Sequence, residues 1–82
     1  MTAADLVEHR LAAILVNQLK LPDEAVLAPD ALLSDIGLDS LGMLAFVAGL
    51  EREFGVTISD RDYEALETFG DAFALVTRLV RG

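Results

Sequence analysis

Asp39-Ser40-Leu41-Gly42-Met43-Leu44-Ala45-Phe46-Val47-Ala48-Gly49-Leu50-Glu51-Arg52-Glu53-Phe54-Gly55 begins with residues that cap helices and closes on one that ends them. No proline interrupts it. Asp39 or Ser40 serves as the cap, and the pattern predicts a helix over 40–54. The helix is apolar around much of its circumference from Leu41 to Leu50. Yet the uncharged run is only about half of the roughly 20 residues that a membrane span needs. A helix of this kind needs neighbours, and the flanking sequence supplies them.

Upstream, Val7, Leu11, Ile14, Leu15 and Leu19 follow helical spacing after a capping-box pair, Thr2 and Asp5. They predict a first helix over 3–19, ended by Pro22. Residues 20–39 carry Pro22, Pro29 and Gly37 and five acids with no Lys or Arg beyond Lys20. Val26, Leu27, Leu32, Leu33 and Ile36 make the segment too apolar for a disordered linker. It reads as a long ordered loop packed across the helices, with a short helical turn near 31–33. Loops of this length in small domains tend to be functional.

Downstream, Val56-Thr57-Ile58 is extended. Ser59-x-x-Asp62 opens a short helix to about residue 65, and Thr68-x-x-Asp71 opens a last one over 69–80. Phe69, Ala72, Phe73, Val76, Leu79 and Val80 form its apolar face. The expected fold is all-α: one domain over 1–82, a small four-helix bundle with a long loop between helices I and II and a short helix III.

The 82 residues hold 14 Asp+Glu against 6 Lys+Arg, for a net charge of −8, and no cysteine. The missing cysteines exclude disulfides and thiolate metal sites and suit a reducing compartment. An acidic surface repels nucleic acid and steers a basic protein partner toward it, besides aiding solubility. The amino terminus lacks the apolar core of a secretory signal. The reading is a cytoplasmic protein that binds neither nucleic acid nor membrane.

Few residues fit catalysis. The single histidine, His9, lies on the first helix, far in sequence from Ser40. Ser40 does not sit in a G-x-S-x-G turn, and a nucleophilic serine needs a base within reach. Asp60, Asp62, Glu64 and Asp71 match a calcium-loop spacing, but Ala65 stands where the loop requires glycine. Isolated Gly37 and Gly42 with no following Lys do not make a phosphate loop. Ser40 remains, exposed at a helix start after a long loop. Taken by itself, it is a helix cap.

Its context resembles something more. Gly37-Leu38-Asp39-Ser40-Leu41 resembles the G-x-D-S-L modification site of acyl carrier proteins. Arg10-Leu11 through Gln18-Leu19 looks like that family's first helix, and Asp35-Ile36-Gly37 like its acidic approach to the serine. The run from Leu50 to Ile58 is similar to the family's end of helix II and following turn. Thr68-Phe69-Gly70-Asp71-Ala72 resembles the start of its last helix. The segments fall in order with no insertion or deletion.

The resemblance implies a non-enzymatic, free-standing carrier of acyl thioesters on a 4′-phosphopantetheine arm joined to Ser40. A phosphopantetheinyl transferase would move the arm from coenzyme A, using magnesium. Asp39 would orient the transferase or cap the helix, and Leu41 would anchor the helix start. Acyl-loading and acyl-transferring enzymes would be the other partners, met as a monomer. Where the family often has Asp and Glu after the serine, this chain has Gly42 and Ala45. The expected docking residues are therefore Leu38, Met43, Leu44, Ala48, Glu51 and Ile58, with hydrophobic contacts prominent. Phe46, Val47, Leu50, Phe54, Ile58, Tyr63 and Leu66 are expected around an acyl pocket, which bulky Phe46 and Tyr63 make shallow. The departures favour polyketide or lipopeptide assembly over fatty-acid synthesis. Rival readings are a peptidyl carrier and an unmodified helical interaction module.

Overall fold

The computed structural model describes residues 3–21 and 27–81. Thr2, Pro22 and Val26, given roles above, lie outside them. The elements are α1 (Ala3–Leu19), α2 (Leu33–Ile36), α3 (Ser40–Phe54), α4 (Asp60–Glu64) and α5 (Phe69–Arg81). The fold is all-helical, as expected, with short α4 as helix III and the single turn α2 set within the long loop.

The starts of α3, α4 and α5 have local causes. The Asp39 carboxylate accepts from the Gly42 N–H, and Ser59 Oγ accepts from the Asp62 N–H. At α5 the pairing is reciprocal: Thr68 Oγ1 accepts from the Asp71 N–H, while Asp71 Oδ2 accepts from the Thr68 N–H. These bonds occupy donors that a helix start leaves without intrahelical partners. α3 stops at Gly55, which turns left-handed at φ 66°, a conformation that costs glycine little.

α2 corrects the expectation of a turn at 31–33. The Ala31 carbonyl accepts from the Phe69 N–H, and the Leu33 N–H donates to the Glu67 carbonyl. Leu32 forms an isolated bridge with Thr68. Residues 31–32 are thus held extended against the start of α5, and helical geometry begins only at Leu33. Upstream, the Gly70 N–H donates to the Pro29 carbonyl, and a Cβ on Gly70 would lie 2.7 Å from that oxygen. Only glycine allows that approach.

The core joins Leu11 and Leu15 of α1, Leu33 of α2, Leu38, Phe46 and Leu50 of α3, and Leu66, Phe69, Ala72, Leu75 and Val76 around α5, where Leu38 and Leu66 come from the flanking loops. Leu33 and Leu38 show that the long loop contributes core rather than merely crossing it. α1 and α3 run antiparallel: Arg10 pairs with Glu53 at 2.8 Å and stacks 4.9 Å from the Phe54 ring centre, while Gln18 reaches Gly42 at the other end. The Arg10 pair is solvent-exposed, so its contribution is small. The pair and the Gln18 contact mark the direction of α3 and the end at which Ser40 sits, which the packing of the core sets.

Candidate functional site

Ser40 is the first residue of α3 and is exposed. The capping work falls to Asp39, whose Oδ1 accepts from the Gly42 N–H at 2.6 Å. Among the described residues, no hydrogen bond engages the Ser40 hydroxyl. The serine is thus not needed as the cap. His9 lies one residue before Arg10, near the far end of α3. No histidine is therefore placed to deprotonate Ser40, and a hydrolase-type serine has no support.

The expected docking residues divide. Leu44 is 58% exposed and Ala48 is open to solvent; beside them lie exposed Ala45 and Leu41, the latter 77% exposed and so not anchored in the core as expected. Together they make an apolar ridge along the outer side of α3, starting beside Ser40. Met43 is half-buried. Leu38 is a correction: it is 4% exposed and belongs to the core, because its side chain closes the bundle below Gly42. Glu51 has a structural job. Its Oε2 accepts from the Ile58 N–H at 2.8 Å, which ties the loop after α3 back to that helix. Half-buried Ile58 is the other end of that tie.

The expected pocket is also changed. Phe46 and Leu50 are fully buried and Leu66 nearly so. Val47, Phe54, Tyr63 and Ile58 are half-buried. Large side chains therefore fill much of the space between α3 and α4. An opening of about 300 Å³ lies instead beside α2, lined by Leu32, Leu33, Ser34, Leu38, Met43, Leu66 and Glu67. Of these, Leu38, Met43 and Leu66 are the residues that the sequence places at the site. For Leu32 and Leu33 the signal is the apolar content of the long loop; Ser34 and Glu67, the latter between α4 and α5, carry none.

Two of the four acids with calcium-loop spacing have separate duties: Asp62 pairs with Arg78 at 2.8 Å and Asp71 caps α5. Among the described residues no group of His, Cys, Asp or Glu is arranged to hold a metal ion. No helix of the described residues is long and apolar enough to cross a membrane.

Comparison with known proteins gives a consistent result. Residues 9–76 match the family model described as the phosphopantetheine attachment site. The acyl carrier protein of Kineococcus radiotolerans is 38% identical over 68 residues, covering 83% of this chain and 84% of that protein. The chloroplastic acyl carrier protein 1 of Casuarina glauca is 32% identical over 72 residues; the match covers 88% of this chain and 53% of the relative, about half its length. The crystal structure of an acyl carrier protein from Thermotoga maritima superposes with a TM-score of 0.81 at 18% identity, covering 95% of this chain and 91% of that one. At that identity the superposition speaks for the fold.

Proposed function

We propose that Ser40 is the residue through which this chain, which belongs to the acyl carrier protein family, bears its 4′-phosphopantetheine arm. Members of the family carry acyl groups and do not catalyse their transfer. The observation that supports Ser40 is the division of labour at the start of α3. Asp39 caps the helix, which leaves the neighbouring hydroxyl exposed and without a partner among the described residues. The site fits the group. A phosphodiester on Ser40 would sit at the positive end of a 15-residue helix. When bound, the arm supplies a thiol that holds acyl groups as activated thioesters.

This chain's residues present and orient the attachment point; a phosphopantetheinyl transferase brings the base and the metal ion. That Ser40 has no histidine near it, and that the neighbouring Asp39 carboxylate is engaged as a cap, is then expected. The tether converts successive enzyme encounters into local ones at high effective concentration. Incubation with coenzyme A, Mg²⁺ and a broad-specificity transferase tests the reading. The intact mass rises by one phosphopantetheine; an unchanged mass would refute it and favour a plain interaction module.

Partners dock on the α3 ridge. Leu41 and Leu44 are large, apolar and exposed beside Ser40, and such patches mark contact surfaces. Uncharged Gly42 and Ala45 support a dedicated pathway, polyketide or lipopeptide assembly, over fatty-acid synthesis. Leu44→Glu and Ala48→Glu place charge on that ridge without disturbing the core. Loading by the cognate acyl-loading enzyme drops by roughly tenfold or more, the size of a buried hot-spot contact. Unchanged loading kinetics would remove the ridge from the docking surface.

The cargo is held shallowly. Buried Phe46 and Leu50 close the deep space, and the opening at Met43 and Leu66 offers room near Ser40. NMR of the protein bearing a long acyl chain should show shifts at Met43, Leu66 and Leu33 and small ones at Leu50 and Phe54. The reverse pattern, with large shifts at Leu50 and Phe54, would mean deep sequestration.

A further inference from the structure

Gly42 is held by side chains at both of its backbone polar groups. Its N–H donates to Asp39 Oδ1 at 2.6 Å, and its carbonyl accepts from Gln18 Nε2 at 2.9 Å. The first bond is local. The second is half-buried, spans 24 positions of sequence and joins α1 to the first turn of α3. A carbonyl has two lone pairs, so the Gln18 bond can coexist with an intrahelical one.

The missing side chain at position 42 leaves room for this arrangement. A Cβ there would lie 3.0 Å from Asp39 Oδ1, 3.3 Å from Leu38 Cδ2 and 3.7 Å from Gln18 Nε2. The first two separations are tight and would press on the cap and on the core leucine beneath it. Gly42 thus has a structural reason beyond the loss of a charged docking residue. Ser40 lies two residues earlier in the same turn.

We propose that Gln18, on α1, is a positioning residue for modification at Ser40. It anchors the first turn of α3 through the Gly42 carbonyl and so holds the Ser40 hydroxyl in the orientation that the transferase meets. The proposal rests on Ser40 as the attachment residue. First turns fray because their N–H groups lack intrahelical partners. The Asp39 bond works within the turn, whereas the Gln18 bond ties the turn to the bundle. Without it, part of the population has a displaced first turn. A partner's apparent affinity falls in proportion to the competent fraction. The effect therefore appears in the KM for the carrier and not in kcat.

Gln18→Met tests this, since methionine keeps the length and the charge of the residue but has no donor. Wild type, Gln18→Met and Ser40→Ala are incubated with coenzyme A, Mg²⁺ and a broad-specificity transferase, well below the melting temperature. Initial rates are read by intact mass over a range of carrier concentrations. Amide hydrogen exchange is measured on the unmodified proteins. The expected result for Gln18→Met is a raised KM, by at most the roughly tenfold that one hydrogen bond supplies, at unchanged kcat. Exchange speeds up at residues 41–43 and stays as in wild type in α5. An unchanged KM overturns the proposal. So does exchange that rises alike in all helices, because that reports general loosening. Failure of wild type to gain mass, or a gain by Ser40→Ala, refutes the attachment site itself and the proposal with it.

Discussion

Ser40→Ala leaves the protein folded and wholly unable to accept phosphopantetheine. Both halves of that result follow from the start of α3. The substitution removes one exposed oxygen that makes no hydrogen bond among the described residues. Asp39 keeps its bond to Gly42, so the cap survives. Exposed changes of this sort fall within about 0.5 kcal/mol of neutral. On the proposed attachment at Ser40 the loss of modification is complete, because alanine at that position offers no oxygen to attack the phosphorus. Circular dichroism melting and intact mass on the same sample check both halves. A large fall in melting temperature would assign Ser40 a structural role that the geometry denies it. A retained mass gain would place the arm elsewhere.

Phe46→Ala is expected to have the largest effect on stability. The ring is fully buried, on the face of α3 that meets the rest of the core. Truncating a buried Phe costs about 3–5 kcal/mol through lost transfer energy and the cavity left behind. A domain of this length holds roughly 4–12 kcal/mol in all. The variant therefore loses a large share of its stability, with a melting temperature lowered by roughly 12–40 °C. Urea unfolding of both proteins measures the difference. A change under about 1 kcal/mol would mean that the ring is less well packed than its burial implies. That would also reopen the deep space between α3 and α4 as room for cargo.

What could be read from the sequence was mostly local. Asp39, Ser59 and the Thr68–Asp71 pair announce helix starts through bonds made within four residues, so their spacing carries the information. Gly55 marks the end of α3 for the same reason. What could not be read depends on contacts between distant segments. The turn α2 begins at Leu33 because residues 29–33 hydrogen-bond to residues 67–70, which no local pattern records. Leu38 looks like an exposed neighbour of Ser40 until the bundle closes over it. Glu51 looks like a docking acid until its carboxylate meets the Ile58 N–H. Gln18 enters only as part of a familiar first helix and gives no signal of its bond, since one amide on a helix has many ordinary uses and its partner is a backbone carbonyl 24 residues away. Family resemblance points to Ser40, and the Asp39 cap gives a physical reason that the Ser40 hydroxyl has no partner among the described residues.

That assignment can be tested at the level of a single atom. Tryptic cleavage after Lys20 and Arg52 gives a peptide of residues 21–52 that contains two serines, Ser34 and Ser40. After treatment with coenzyme A and a transferase, fragmentation of this peptide by tandem mass spectrometry locates the added group. Fragments that contain Ser40 but not Ser34 are predicted to carry the full phosphopantetheine mass. The same mass on Ser34, or on a peptide outside residues 21–52, would contradict the account.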